Sequence, residues 1–385
     1  MAMCTAAGWR DWTNLSDGPA RLIADRLLAH DVADYVRFRA VCAPWRACSD
    51  DPRWQSVFDR RYHPQRWVII RPPHAFDDRQ GHLLNLSTGE CVNLLLPDYH
   101  HYFVLGPTAE GLLLLYRKDT LIMQILNPLT GQTTDLPHLD TLINQGAIRY
   151  QSITLRLNEL HLLSAGLSDD STVVTIFGET YMTPDDSNYL AVARPGGKKW
   201  IRIDTSDIIA SALPFAGRVY CATARKIMVV ETAADKQPQL VTVATCELFE
   251  EGVTSRLRRL CLVENDGVLV LVAQHIEYVN NKRQRRCKVY RVDLDAGQTV
   301  PVRQVVERAI FIGFYSHRAL SVRVGLSPSI SANTIYFCKD QVDYDIYRIV
   351  DGSVVEDCRM KPADNGKIVL NPGLGSRKKL MPQCP

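Results

Sequence analysis

The spacing of apolar residues divides the chain into two regions with different periods. Over residues 9–60, apolar side chains recur every three or four positions, which is the period of an amphipathic helix. We predict a first helix that begins near Ser16 or Asp17, with Pro19 in its first turn, where a missing N–H costs nothing. A second helix is predicted from Asp31, whose carboxylate is a suitable N-cap. The expected apolar stripes are Ala20, Ile23 and Leu27 in the first helix, and Val32, Val36 and Ala40 in the second.

Proline-containing breaks divide the rest of this region into shorter helices. Ala43-Pro44 ends the second stripe, and Asp51-Pro52 precedes another short apolar group. We therefore predict a helical module over 9–60 with three or four short helices. A module of about 50 residues buries too little surface for a strong core of its own, so we expect it to lean on a partner or on the rest of the chain.

From Trp67 onward the pattern becomes one of short apolar runs between Gly, Pro, Asn and Asp turns. Runs such as Thr172–Phe177 and Thr334–Cys338 have the length and composition of strands. Helical stripes are scarce in this region. We predict a large all-β domain over 65–360, with about 20 strands, and a C-terminal tail over 361–385.

A turn motif recurs in the β region. Leu84-Asn-Leu-Ser-Thr-Gly89 reappears as Leu126-Asn-Pro-Leu-Thr-Gly131 and again as Val292-Asp-Leu-Asp-Ala-Gly297. The first two glycines are 42 residues apart, and the next interval of 166 residues is close to four such units. A period of about 40–45 residues with several strands per unit is typical of propeller blades and predicts a β-propeller-like domain of about six or seven blades. The alternative is a common hairpin turn that recurs without a repeat.

The helical region resembles an F-box. The resemblance rests on Trp12-Thr-Asn-Leu15, on Leu22-Ile-Ala-Asp-Arg-Leu27, and above all on the closing Val41-Cys-Ala-Pro-Trp45-Arg46. The β region is similar to the propeller of a large plant family of F-box proteins related to the KIB group. That similarity rests on an ordered set of short matches: Asn127–Gly131, Leu213–Tyr220, Leu262–Gly267, Lys288–Asp293 and Asn333–Phe337.

The resemblance implies a substrate-receptor subunit of an SCF-type E3 ubiquitin ligase. In such a subunit the F-box binds the Skp adaptor, and through it a cullin ligase, while the propeller binds a target protein that the sequence does not name. Carried over residue by residue, the pattern implies these adaptor-contacting or supporting residues: Leu15, Ile23, Leu27, Val36, Val41 and Trp45. The alternative is that several of them form the module's own core, as apolar helical stripes usually do.

One departure from the F-box pattern leaves a second function open. An F-box normally opens with Leu-Pro, an acidic residue and a further Leu. This chain has Leu15-Ser16-Asp17-Gly18-Pro19, so Ser16 replaces the Pro and Pro19 replaces the Leu. A binding or scaffold protein that has lost its coupling to the ligase is therefore an alternative. A propeller enzyme whose site is assembled from distant loops is a second one.

Composition and charge narrow the class of protein. The chain has 385 residues, with 46% hydrophobic and 23% charged residues, which is ordinary for a folded soluble protein. The net charge is only +3, which argues against nucleic-acid binding driven by bulk charge. We find no apolar run of the roughly 18 residues that a membrane helix needs, and no signal-peptide h-region. We expect no membrane association and a cytoplasmic or nuclear location.

We find no motif for catalysis, a cofactor or a metal, and expect a non-catalytic protein. Gly-x-Ser-x-Gly, the P-loop and His-Glu-x-x-His are missing. His100-His101 is interpreted as a surface pair, and Asp169-Asp170 and Asp185-Asp186 as solvated loop acids. The eleven cysteines lack zinc spacing, and we interpret most as small buried hydrophobes in a reducing compartment.

A basic run occupies Lys282–Lys288 and lies between two apolar runs. The expected structure is a solvated hairpin tip. The alternatives are a nuclear-import signal and a patch for an acidic partner. The weaker basic run Ser376–Lys379 lies in the expected tail.

Overall fold

A small helical N-terminal region is followed by a large all-β, propeller-like domain. This architecture comes from a computed structural model of the chain. The structure describes residues 12–70, 80–95, 97–98, 100–143, 160–179, 188–205, 207–232, 237–248, 255–279, 282–313, 319–324, 330–338, 343–362 and 368–371.

The helices end where the apolar period changes. They are α1 (Asp17–His30), α2 (Val32–Val41) and α3 (Ala43–Ala47), with 3-10 turns at Trp12–Asn14, Pro52–Trp54 and Arg60–Tyr62. Only Asp31 separates α1 from α2. Its carboxylate accepts a hydrogen bond of 2.8 Å from the amide of Ala33, which confirms the predicted N-cap. The N-cap of α1 is Ser16, whose side chain makes no capping bond.

The core-facing stripes of α1 and α2 are rotated from those predicted. Helix α1 buries Ala20, Ala24 and Leu28. The predicted stripe put Ile23 and Leu27 with Ala20, but Ile23 is exposed and Leu27 is only half-buried. Helix α2 turns two aromatic rings inward instead of Val36 and Ala40; its buried residues are Val32, Ala33, Tyr35, Phe38 and Arg39. Aromatic rings bury more apolar area than Val or Ala, so they set the orientation of the helix.

The β region contains 25 strands among the described residues. They are β1 (Trp67–Ile70), β2 (Gln80–Asn85), β3 (Cys91–Leu95), β4 (Tyr102–Pro107), β5 (Leu113–Arg117), β6 (Ile122–Leu126), β7 (Thr133–His138), β8 (Leu160–Leu167), β9 (Val173–Glu179), β10 (Tyr189–Ala193), β11 (Ile201–Ile203), β12 (Ser211–Phe215), β13 (Arg218–Ala222), β14 (Lys226–Glu231), β15 (Gln239–Thr245), β16 (Ser255–Asn265), β17 (Val268–Val279), β18 (Lys282–Asp293), β19 (Gln298–Val302), β20 (Arg308–Ile312), β21 (Ala319–Arg323), β22 (Thr334–Cys338), β23 (Asp343–Arg348), β24 (Val354–Pro362) and β25 (Ile368–Asn371).

A single helical turn, α4 (Asp140–Ile143), is the longest helix described within 100–350. The last strand, β25, pairs with β24 and falls within 361–385, the segment expected as a tail. No helix in the described ranges is long and apolar enough to cross a membrane.

The prediction of six or seven blades is wrong. The described strands form five hydrogen-bonded sheets, with three, four, four, eight and six strands. In the eight-stranded sheet, two antiparallel units are joined by one parallel bridge between Thr245 and Gln298. In the six-stranded sheet, β20 pairs with β22 in parallel and with β21 in antiparallel orientation. The estimate failed because a fixed period does not reveal which units pair into one sheet, as the two joined through Thr245 and Gln298 do.

The sheets pack face to face in chain order, and the last sheet packs against the first. Leu84 and Leu86, from the first sheet and its turn, share an apolar cluster with Phe311 and Tyr336 of the last sheet. This contact closes the sheets into a ring. Most strands are therefore buried on both faces, and they have continuous apolar runs rather than strict alternation.

The recurring turn is a structural repeat. Asn85 accepts a hydrogen bond of 2.8 Å from the amide of Gly89 on its backbone carbonyl, and Asn127 accepts one of 2.9 Å from Gly131 in the same way. Gly89, Gly131 and Gly297 all have a positive φ, of 73°, 75° and 67°. Each turn joins the last two strands of its antiparallel unit: β2 to β3, β6 to β7 and β18 to β19.

Candidate functional site

The helical module exposes large apolar side chains on its outer surface. Leu22 is 71% exposed, Val41 60% and Trp54 85%. Among the described residues, exposed large apolar side chains are sparser along the much longer β domain. Those described on the module are Trp12, Leu22, Ile23, Val36, Val41 and Trp54. Large apolar side chains exposed at this density on one small module are typical of an interaction site.

The six residues expected to contact or support the adaptor fall into two groups. Ile23, Val36 and Val41 are exposed on α1 and α2. The other three are half-buried and pack against the module's own core: Leu15, Leu27 and Trp45. The structure thus separates residues available to a partner from residues that support the fold.

Trp45 is anchored within the module. Its ring stacks on Phe38 with the ring centroids 4.7 Å apart, and its Nε1–H donates to the carbonyl of Trp12 at 3.0 Å. This indole therefore ties α3 to both α2 and the N-terminal turn. Beside it, the buried Arg39 donates to the carbonyl of Arg46 at 3.1 Å and to the Ser49 hydroxyl at 2.9 Å. Sequence reasoning missed Arg39 because a lone cation in a helix gives no pattern that indicates burial.

Leu22 and Trp54 are exposed apolar residues that the stripe analysis left out. Leu22 was part of the F-box resemblance, but the predicted stripe passed through Ile23 instead. Trp54 follows Pro52 and sits at the end of a 3-10 turn rather than on a helix face. The signal that the sequence offered for Trp54 was a large aromatic residue shortly after the Pro-containing break at Asp51-Pro52.

The carboxylate of Asp31 joins the helical module to the first sheet. It is buried, and it accepts from the side-chain amide of Asn85 at 2.7 Å and from the indole N–H of Trp67 at 3.1 Å. With the capping bond from Ala33, donors from the module and the sheet converge on one carboxylate. A buried carboxylate held by several donors is costly to disrupt, because each donor would lose its partner.

The second recurring turn makes a parallel contact. Asn127 donates from its side-chain amide to the carbonyl of Tyr62 at 2.8 Å. Nearby, Pro64 lies so close to Gly111, whose φ is +90°, that a Cβ there would overlap the Pro64 carbonyl oxygen. The Asn of the first two turns therefore bonds to the helical region, so this region docks on the sheets through a fixed interface.

Two cavities flank the linker, residues 63–66, which joins the last 3-10 turn to β1. One, of about 690 Å³, lies between α1 and the linker, and the other, of about 370 Å³, lies between the linker and the ends of strands in several sheets. His63 lines both. Its Nε2 lies 2.9 Å from the carbonyl of Val57, and burial lowers the pKa of the ring. A neutral imidazole with its proton on Nε2 fits this contact, because a carbonyl oxygen can only accept.

The remaining sequence candidates are not gathered into a metal-binding group among the described residues. His100 and His101 are exposed in the turn before β4, as expected. No group of three or more His, Cys, Asp or Glu within the part of the chain that the structure describes is arranged to hold a metal ion. Asp185-Asp186 and Ser376–Lys379 lie outside the described residues.

Asp170 is an exposed acid in the turn between β8 and β9, as expected, and it also makes structural contacts. It accepts hydrogen bonds from the Thr232 hydroxyl at 3.0 Å and from the Arg194 guanidinium at 2.9 Å. Partial burial acts to raise the pKa of Asp170, but hydrogen bonds from Ser168 and Thr172 outweigh it and lower the pKa to about 2. The side chain therefore fastens the β8–β9 turn to neighbouring strands.

The cysteines match their interpretation in part. Five of the nine described cysteines are buried, and all nine are free: Cys42, Cys48, Cys91, Cys221, Cys246, Cys261, Cys287, Cys338 and Cys358. Burial raises the pKa of Cys221 and Cys261 to about 12 each. These thiols are protonated at neutral pH and fill the core as small apolar groups. Cys4 and Cys384 lie outside the described residues.

The basic run Lys282–Lys288 forms part of strand β18, so the expected hairpin tip is wrong. The run pairs with β17 from Lys282 opposite Val279 to Lys288 opposite Ala273. Alternating apolar residues carry β17 on to Val279, so that its ladder with β18 includes the basic run. The sequence did not predict this because the charged residues obscured the strand pattern of β18.

Comparison with known proteins identifies the β domain. Residues 83–357, well over half of the chain, match the family model described as the KIB1-4 beta-propeller. The match begins within β2 and ends within β24, so the helical module lies outside it. None of the curated proteins matches the chain.

Solved structures show only distant likeness. YCF48 from Cyanidioschyzon merolae is 10% identical, with a TM-score of 0.36 over 79% of this chain and 76% of that chain. Regucalcin from Agrobacterium tumefaciens, a calcium-binding protein, is 12% identical, with a TM-score of 0.32 over 77% of this chain and 84% of that chain. TM-scores this low transfer neither blade geometry nor activity to this chain.

Proposed function

The chain belongs to the KIB1-4 beta-propeller family, and from that premise we propose that it is a substrate-receptor subunit of an SCF-type ubiquitin ligase. The helical module is an F-box that binds a Skp-type adaptor and, through it, a cullin ligase. The propeller-like domain binds the target protein, a role in keeping with the protein-interaction function that such a domain suggests. In this proposal the protein has no catalytic site, needs no cofactor and acts in the cytoplasm or nucleus.

The exposed apolar surface of the module carries the proposal. Ile23, Val36 and Val41 are exposed at positions that the F-box pattern assigns to the adaptor contact, and Leu22 lies beside Ile23 in α1. Burial of a fully exposed apolar side chain contributes about 1.5–3 kcal/mol. Ile23 and Val36, which are already more than half buried, contribute less, and their burial favours association. A second helical protein is the partner that suits an apolar helical surface.

The fixed junction supports the same role. A receptor subunit acts by proximity, so its adaptor-binding end and its target-binding end need a constant relative position. The Asp31–Asn85 and Asn127–Tyr62 hydrogen bonds join the module to two different sheets. These contacts favour a rigid receptor over two domains on a flexible tether.

Binding of the full chain to a purified Skp-type adaptor tests the proposal. We expect a one-to-one complex that elutes as a single species in size-exclusion chromatography and retains a cullin in a three-component mixture. If the adaptor and the chain elute separately at micromolar concentrations, the chain is a scaffold protein that has lost ligase coupling. The altered opening, Leu15-Ser16-Asp17-Gly18-Pro19, is the observation that favours this second function.

A further inference from the structure

The larger of the two cavities lies where the helical module meets the first sheet. Its volume is about 690 Å³, within the range of roughly 300–1,000 Å³ that is usual for small-molecule sites. Helix α1 and the start of α2 form one wall, and the linker with Trp67 of β1 forms another. The indole N–H of Trp67 donates to the carboxylate of Asp31 at 3.1 Å and so joins the two walls directly. The cavity is therefore formed before any ligand binds.

Three charged side chains of the lining are already bound within the protein. Arg60 pairs with Asp169 at 2.5 Å, and Arg61 pairs with Asp59 at 2.6 Å. The third is Asp31, whose carboxylate is held by the donors of the module–sheet junction. These groups have their partners and need none from a ligand.

Four other charged side chains of the lining have no partner among the described residues. They are two cations and two carboxylates: Arg21, Arg66, Asp25 and Asp50. Arg21 and Asp25 are one turn apart in α1, a spacing that allows an ion pair, yet the two side chains do not pair. All four are exposed, so water solvates them until a ligand takes its place.

His63 adds a buried acceptor beside the same cavity. The residue is 5% exposed and lines both cavities. Its Nε2 lies 2.9 Å from the carbonyl of Val57, and its Nδ1 has no hydrogen-bond partner in the part of the chain that the structure describes. With the proton on Nε2, Nδ1 is an acceptor. A buried polar atom without a protein partner is uncommon and indicates a donor that comes from outside the chain.

The free groups select a ligand that carries both signs of charge. A simple anion attracted by the two arginines would be repelled by the two carboxylates, and a simple cation would meet the reverse. A zwitterion suits both sets, because its carboxylate accepts from a guanidinium and its ammonium donates to a carboxylate. A peptide suits the site better than a free amino acid, because its backbone N–H groups can also donate to Nδ1 of His63.

We propose that this cavity binds a zwitterionic ligand of the short-peptide class. The terminal carboxylate of the ligand lies on Arg66 of the linker, and its terminal ammonium lies on Asp25 of α1. None of the residues that line the cavity is among the six assigned to the adaptor contact. The proposal therefore does not rest on the ligase function.

Isothermal titration calorimetry at low salt tests the proposal with the full chain and tetra-alanine as the probe. Two blocked peptides are the probe controls: N-acetyl-tetra-alanine lacks the ammonium, and tetra-alanine amide lacks the carboxylate. The cavity variants are Arg66→Gln and Asp25→Asn. The matched control variants are Arg225→Gln and Asp295→Asn, at exposed residues outside the cavity lining. Circular dichroism verifies that all four variants are folded.

We expect tetra-alanine with free ends to bind at least tenfold more tightly than either blocked peptide. Arg66→Gln should weaken binding of the free peptide at least fivefold but change binding of the amide less than twofold, because the amide has no carboxylate to lose a contact. Asp25→Asn should act in the same way on the free and the acetylated peptide. Both control variants should stay within twofold of the wild type.

Three results would overturn the proposal. They are no measurable binding of the free peptide, equal affinities of the three peptides, and an Arg66→Gln variant that binds the free peptide as tightly as Arg225→Gln does. Adaptor binding, measured on the same variants, is expected to be unchanged. Failure of the cavity proposal and failure of the ligase function are therefore distinguishable.

Discussion

The side-chain amide of Asn85 donates a 2.7 Å hydrogen bond to the carboxylate of Asp31, 54 residues earlier in the chain. Each residue has a local role as well: Asp31 caps α2, and Asn85 accepts the amide of Ser87 at 2.9 Å within its turn. One hydrogen bond thus connects a helix cap to a sheet turn. It makes the orientation of the helical module depend on two short-range motifs that the sequence reveals.

Replacement of this carboxylate is expected to be costly. Asp31→Ala removes the acceptor for Ala33, Trp67 and Asn85 and leaves buried donors without partners. We predict that the free energy of unfolding falls by about 3 kcal/mol. Urea denaturation followed by tryptophan fluorescence measures it. The control is Asp34→Ala, which removes an exposed ion pair with Arg37 and is expected to cost under about 1 kcal/mol. Equal losses in the two variants would show that the junction contributes little.

The close approach of the linker to Gly111 gives a second prediction. Gly111→Ala must adopt a φ near +90° and push the Pro64 carbonyl away. Gly89→Ala meets the same conformational restriction at φ +73° but has open space around it. We expect Gly89→Ala to cost about 1–2 kcal/mol and Gly111→Ala clearly more, as a lower melting temperature in calorimetry. The interpretation of a tight linker contact fails if Gly111→Ala melts at or above the temperature of Gly89→Ala.

Asp170 predicts a pH dependence. Its folded pKa of about 2 lies below the value of about 3.9 for an unfolded Asp, so the ionised form stabilises the fold above pH 4. That stabilisation is lost as the pH falls from 4 towards 2. Because its side chain is 42% exposed, we expect Asp170→Asn to cost only about 1 kcal/mol at pH 7.

The difference in unfolding free energy between wild type and Asp170→Asn is therefore expected to shrink as the pH is lowered from 5 to 3. Urea titrations at several pH values measure it. Asp204→Asn, at a carboxylate that is 92% exposed, is the control and should stay within about 0.5 kcal/mol of wild type throughout. A constant difference for Asp170→Asn across this range would contradict the assigned role.

The F-box opening yields a fourth prediction. Ser16 has φ −60°, which proline adopts without strain, and its hydroxyl makes no capping bond. Ser16→Pro should therefore raise the free energy of unfolding by about 0.4–1 kcal/mol, mainly by restricting the unfolded chain. Chemical denaturation measures this. The unfolding free energy of Asp17→Pro, which places the proline at the first residue of α1, is measured for comparison. A loss of stability in Ser16→Pro would mean that the Ser16 amide has a partner that proline removes.

Local sequence signals predicted the features that depend on neighbouring residues. The change of period between Tyr62 and Trp67 marks the end of the helices and the start of β1, and the Asp31 cap and the positive φ of Gly89 and Gly131 also follow from local chemistry. These features need no knowledge of distant residues. For that reason the helical region, the all-β domain and the repeated turn were accessible from the sequence.

Features that depend on distant packing were not accessible. The rotation of α2 follows from where Tyr35 and Phe38 find their neighbours, and the strand at Lys282–Lys288 follows from pairing with β17. The blade estimate failed for the same reason: a fixed period does not reveal that Thr245 and Gln298 join two units into one sheet. In the candidate site, Val41 is exposed and Leu27 is half-buried because their tertiary contacts differ. The sequence pattern alone does not distinguish the two residues.

Adaptor binding by two matched valine variants tests the central claim most directly. Val41 is 60% exposed on the helical module, and Val350 is 72% exposed on the β domain. Because a carboxylate buried without a partner is strongly unfavourable at an interface, we predict that Val41→Asp weakens binding of the Skp-type adaptor at least 100-fold in isothermal titration calorimetry. Val350→Asp should bind within twofold of wild type. Equal affinities of the two variants, or no adaptor binding by the wild type, would contradict the account.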